Sequence, residues 1–152
     1  MITAQTICAL ALSLWTADAA SWYESRIPAM QETCEEIAGE AERRGHDPTL
    51  LVSLAWEESR FKRDARSSAG AVGPLQVLPV HWCPDGEAEG CDLVLAGLEA
   101  FESFSERWPE IPETLCHYNG GITCSSRSRD YASRIMQRRE DLSSRLYGSD
   151  GC

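Results

Sequence analysis

The sequence predicts a mainly α, compact helical domain with a loop-built cleft and little or no β structure. Three observations carry that expectation. Apolar residues recur every three or four positions in several separate segments. No segment alternates apolar and polar residues as a half-buried strand would. A length of 152 residues suits one domain with a real hydrophobic core.

The chain opens "MITAQTICALALSLWTADAASW". Ile7 to Trp15 is an apolar run too short to span a bilayer. Ala17-Asp18-Ala19 is a small-x-small site of the kind signal peptidase cuts. Residues 1–20 are therefore expected to be a signal peptide or N-terminal anchor, leaving 21–152 as the working domain. An ordinary amphipathic first helix is the alternative, because no Lys or Arg precedes the apolar run.

From Arg26 to Arg44, Ile27, Met30, Cys34, Ile37, Ala38 and Ala41 recur at helical spacing, and Gly45 is a stop. Asp47-Pro48 then reads as an N-cap followed by proline in the first turn. The helix it starts, "PTLLVSLAWEES", carries Leu50, Leu51, Leu54, Ala55 and Glu58 on one broad face. Residues 62–79 are rich in Ser, Ala and Gly and are expected as loop and short turns. A polar loop, "CPDGEAEGC", follows. Asp92 caps a helix from Leu93 to Arg107, "WPEIPET" breaks it, and a short helix is expected from Thr114 to Tyr118. Arg127 to Tyr147 is the last helix, with Tyr131, Ile135, Arg138, Leu142 and Leu146 on one stripe.

The formal net charge of −10 argues against nucleic acid as a partner, since phosphate contacts need a cationic surface. Of seven cysteines, Cys8 lies in the signal-like segment. The other six form an even set suited to an oxidising compartment. Proximity suggests Cys83–Cys91 and Cys116–Cys124, and elimination then suggests Cys34–Cys152. A zinc site built from His81, Cys83, Cys116 and His117 is the alternative, although the short Cys-x-x-Cys spacings of structural zinc are missing.

The candidate for chemistry is Glu58. It leaves its helix on the apolar side, four residues after Leu54, while Glu57 is turned about 100° away. Ser59 and Phe61 could supply a hydrogen bond and a dry wall, and the small residues beyond leave room for a bulky ligand. Burial raises a carboxyl pKa, and a glutamic acid protonated near neutrality can donate to a leaving oxygen.

The stretch "ESRFKRDARSSAGAVGPLQVLP" resembles the signature of the soluble lytic transglycosylases, family 23 of the glycoside hydrolases, which have a goose-type lysozyme fold. Glu58, Ser59, Phe61, Ala65, Ser67, Gly70, Ala71, Gly73 and Gln76 meet that pattern. "HYNGG" at 117–121 is similar to a second motif, Ala-Tyr-Asn-Ala-Gly, and "YASRIM" at Tyr131 to a third. Pro74 stands in a slot usually held by Leu, and His117 and Gly120 replace two alanines. The order and spacing match from about Pro48 to Met136.

The resemblance implies a lytic transglycosylase that cleaves the β-1,4 bond between N-acetylmuramic acid and N-acetylglucosamine in peptidoglycan. Glu58 would be the catalytic residue and sole acid/base, and a 1,6-anhydromuramic end the product. Substrate-binding roles fall to Ser67, Gln76, Tyr118, Asn119 and Tyr131, with Tyr131 also expected to hold the Glu58 carboxyl. Gln76 as a loop-capping glutamine and Tyr131 as a core tyrosine are the plainer alternatives. His117 is expected to line the cleft wall, and Trp82 is the best aromatic platform. No metal or cofactor is expected. The partners would be peptidoglycan glycan strands, with a secretion-system or phage-structural protein as further company, and the enzyme would be a monomer. Location would be periplasmic or secreted, or phage-borne for lysis or entry. A hydrolytic muramidase on the same fold and an inactive wall-binding or assembly protein are the competing readings.

Overall fold

The computed structural model describes residues 1–148. Eight α-helices follow in order: α1 (Ala4–Trp15), α2 (Ala20–Tyr23), α3 (Ile27–Arg43), α4 (Pro48–Ser59), α5 (Pro79–Trp82), α6 (Leu93–Arg107), α7 (Ile111–Gly120) and α8 (Ser126–Tyr147). Among the described residues no strand forms. Two isolated bridges, Arg66 to Val72 and Val72 to Val77, pin the loop after α4.

The architecture follows from α4. Every residue from Thr49 to Trp56 is buried. A helix apolar on all sides must be surrounded, and α4 packs against α1, α3 and α8. Asp47 caps it by accepting from the Thr49 N–H at 2.9 Å, with Pro48 in the first turn. Asp92 and Ser125 cap α6 and α8 in the same way. The expected helices are found with boundaries moved by a residue or so. The exception is the short helix, which begins at Ile111 rather than Thr114. Pro112 falls in its first turn, where a missing N–H leaves no bond unmade.

The N-terminal segment lies within this assembly. Ile7, Cys8, Ala11 and Leu12 belong to the core, and α1 packs along α3. Trp15 sits 5.5 Å from the Trp56 ring and 6.4 Å from the Phe61 ring. Cys8 is bonded to Cys34, which corrects the pairing of Cys34 with Cys152; Cys152 itself lies outside the described residues. The other two expected bridges, Cys83–Cys91 and Cys116–Cys124, are present. The zinc alternative falls with them, because Cys83 and Cys116 are disulfide-bonded and offer no thiolate. No described helix is long and apolar enough to cross a membrane.

Candidate active site

Glu58 occupies the last turn of α4. The helix ends because Arg60 and then Phe61 adopt left-handed backbone (φ 52° and 61°). Two consecutive non-glycine residues in that region store strain of a kind that collects at functional sites. Phe61, buried against Trp56 at 5.6 Å, holds the turn in place. The hydroxyl of Ser59 donates to the Pro74 carbonyl at 2.7 Å, with the Ala55 carbonyl 3.1 Å away. The returning loop is thereby tied to the residue beside Glu58. Pro74 contributes its acceptor here, a role that its lack of an N–H does not affect.

The loop closes on itself through Gln76. Its side-chain amide donates to the Gly73 carbonyl at 2.9 Å and the Ala65 carbonyl at 3.1 Å, and its own backbone is left-handed at φ 52°. The loop-capping alternative therefore describes the donor side of this residue. Gly73 is required by close approach: a Cβ there would come within 2.9 Å of Leu93. Ser67 is exposed and accepts from the Ala71 N–H at 3.0 Å. It shapes the loop and makes no hydrogen bond to Glu58.

Helices α7 and α8 supply the other wall. The Tyr118 hydroxyl donates to the Leu75 carbonyl at 2.6 Å, and its ring meets Phe104 edge-on at 5.7 Å. Burial, with the Glu58 charge nearby, pushes the phenol well above its ordinary range. Tyr131 is buried and lies beside Glu58. Its hydroxyl has no hydrogen-bond partner in good geometry, so the expected Tyr131–Glu58 bond is a proximity rather than a closed contact. Asn119 is exposed, and its side-chain oxygen accepts from the Ser128 hydroxyl at 2.9 Å. Ser128 in turn accepts from Ser125 at 3.2 Å. This relay fixes the Asn119 amide with its NH2 turned away from Ser128. Gly120 is explained by the same residue, since a Cβ at 120 would lie 2.6 Å from the Ser128 oxygen.

Burial pushes the Glu58 carboxyl up to about 8. The nearby Tyr131 hydroxyl favours the ionised form and offsets part of that rise, and the Glu57 charge adds to it. Glu58 is therefore mostly protonated at neutral pH. Glu57 has a different fate. It accepts from the Arg134 guanidinium at 2.7 Å in an ion pair.

His117 does not line the cleft. It is buried, stacks on Trp108 with ring centroids 3.6 Å apart, and meets the Gly121 carbonyl through Nδ1 at 2.7 Å. Glu113, His117 and Cys124 bring potential metal-ligand atoms within 4.8 Å of one another, but Cys124 is spent in a disulfide. Trp82 is half-buried against Val77, Ala96 and Ala100. Sequence reasoning missed Ser128 and Arg134. Ser128 lies one turn before Tyr131 on the same helix face, which is the signal that could have found it.

The family model described as Transglycosylase SLT domain matches residues 35–139. No curated protein and no solved structure matches the chain significantly.

Proposed function

This chain belongs to the transglycosylase SLT domain family, and from that premise we propose that it is a peptidoglycan lytic transglycosylase with Glu58 as sole acid/base. The observation that carries this reading is one carboxyl group, desolvated at the end of a buried helix, that keeps its proton near neutrality. Glu58 donates that proton to the glycosidic oxygen as the bond to the muramoyl C1 breaks. The resulting carboxylate takes the proton of the muramoyl C6 hydroxyl as that oxygen bonds C1. No water is consumed, and the product is a 1,6-anhydromuramic end.

The neighbours fit those two states. Tyr131 holds a buried hydroxyl with no acceptor in the resting protein, a donor ready for the carboxylate formed after the first transfer. Tyr118 and the Ser59–Pro74 bond keep the two walls together. Asn119, with its amide oriented by Ser128, offers N–H donors to substrate, and the free oxygen of Gln76 can accept from an acetamido N–H. Ser67 acts through the loop it shapes.

A hydrolytic muramidase of the ordinary two-carboxylate kind needs a second acid on the far side of the sugar. Near Glu58 the closest other carboxylate is Glu57, which Arg134 occupies, and Asp64 and Asp85 are exposed on loops. We propose a periplasmic or secreted location, in keeping with three disulfides, and retention of residues 4–15 in the working enzyme. Mass spectrometry of digested peptidoglycan tests the reaction. Anhydro ends are expected; reducing ends, or no products at all, would overturn it. N-terminal sequencing of exported protein tests the retention, and a chain starting near residue 21 would refute it.

A further inference from the structure

The reaction proposed above makes no use of His117, although it directly precedes Tyr118 and Asn119. It is buried, and it grips Gly121 by both of that residue's polar backbone groups. The His117 carbonyl accepts from the Gly121 N–H at 2.8 Å, closing the last turn of α7. The His117 ring, through Nδ1, meets the Gly121 carbonyl at 2.7 Å. A carbonyl only accepts, so Nδ1 carries the proton in this bond. An alanine at 117 could make the first bond and not the second.

The ring is itself held. It lies flat on Trp108, with planes within 6° of parallel. Trp108 is fixed in turn, because the Thr114 hydroxyl donates to its carbonyl and Phe104 stacks beside it at 6.0 Å. This stack leaves the imidazole free to turn only in its own plane, and the Gly121 carbonyl fixes that turn. On the opposite edge Nε2 stands 3.9 Å from the Glu113 carboxylate, which Arg129 meets at 2.9 Å. What the ring steadies is the end of α7. Asn119 is exposed there, and the two residues after it are glycines, the residue type with the greatest backbone freedom. The Ser128 hydroxyl orients the Asn119 side chain, and the Cys116–Cys124 bond closes the loop at its base. The bond from His117 to Gly121 ties down the backbone between them.

We propose that His117 is a positioning residue for substrate binding: through the Gly121 carbonyl it holds the end of α7, and so Asn119, where the Asn119 amide can meet the sugar. The inference rests on the function proposed above. His117 touches no substrate and moves no proton in this role. Its effect passes through Asn119, so it belongs to the binding of the strand rather than to the chemical step.

Two measurements on the full chain test this. The first is steady-state digestion of murein. His117→Ala should raise KM about 5-fold, the scale of one neutral hydrogen bond, with kcat within about 2-fold of wild type. His117→Asn places an amide N–H where Nδ1 stood and should recover most of that loss. His117→Gln places it at the Nε2 position and should not, so this pair decides the matter even if the alanine variant fails to fold. The double variant His117→Ala/Asn119→Ala should be no worse than Asn119→Ala alone, because the first residue acts through the second. An unchanged KM, equal behaviour of the asparagine and glutamine variants, or additive losses in the double variant would overturn the proposal. The second measurement is NMR hydrogen exchange at the Gly121 amide in ligand-free protein. Exchange should quicken in His117→Ala and His117→Gln and return towards wild type in His117→Asn; the same rate in all four proteins would refute the tie. If wild type cleaves no murein, the proposed function fails, and the exchange rates still decide whether His117 holds this turn.

Discussion

Glu58 and Glu102 are the same residue type on helices of one small domain, and their surroundings drive them in opposite directions. Glu102 on α6 accepts from Arg44 through both oxygens, at 2.6 and 2.8 Å, and from His46 at 2.9 Å. The Arg44 bonds hold it down at about 2, against a smaller opposing effect of burial. Among the described residues Glu58 has no cationic partner. Burial dominates, and it rises to about 8. Pairing makes a carboxylate permanent, whereas desolvation without pairing makes a proton available. Glu57 sharpens the lesson from one residue away, since Arg134 takes it and leaves Glu58 alone.

The largest expected effect separates the two directly. Glu58→Gln should lower release of anhydro-muropeptides at least 100-fold, the lower range for loss of a general acid, without changing the circular dichroism spectrum. Glu102→Gln should leave the rate within about 2-fold. Comparable losses in both would mean that the acid has been misassigned. Glu57→Gln should also be nearly silent.

Stability against pH comes next. The folded value of Glu58 lies above its ordinary one, so the native state holds this proton more tightly than the unfolded chain does. Its contribution is fully present below about 4.5 and is lost as pH rises towards 8. Glu58→Gln should therefore raise the melting temperature at pH 9, by an effect on the order of a few kcal/mol, and do little at pH 4. Activity should follow the same proton, with a wild-type rate that falls as pH rises through about 8. A rate that climbs steadily to pH 10 would contradict a protonated Glu58.

The smallest effect is at Glu102. Its value is depressed, so its contribution is present above about 4.5 and fades as pH falls towards 2. Because the pair is partly solvent-exposed and therefore screened, Glu102→Gln should cost about 1 kcal/mol or less at pH 7, read from urea melts.

Much of this contrast was legible before the structure. Apolar spacing placed the helix that carries Glu58 and put Glu57 on another face. The partners that surround them were not legible. Arg134 lies far along the chain on a different helix, and its pairing with Glu57 depends on how α4 and α8 cross. Nor was the turn after Glu58, because neither Arg60 nor Phe61 is a residue that advertises left-handed backbone. Cys8 was assigned to an apolar segment apart from the framework cysteines. A short apolar run next to small residues has the composition of a secretion signal and of a buried helix alike. In the folded chain the run packs against α3 and α4.

The Cys8–Cys34 bond closes the first helix onto the third, and Trp15 at the end of that helix presses on the ring of Trp56, two positions before the acid. Oxidation state at the amino end is thus mechanically adjacent to the reaction centre. In a reducing cytosol this clasp would stay open, and the floor beneath the acid would be less firmly held. A wall-cutting enzyme assembled this way would reach its full rigidity only after leaving the cell interior that it must not harm.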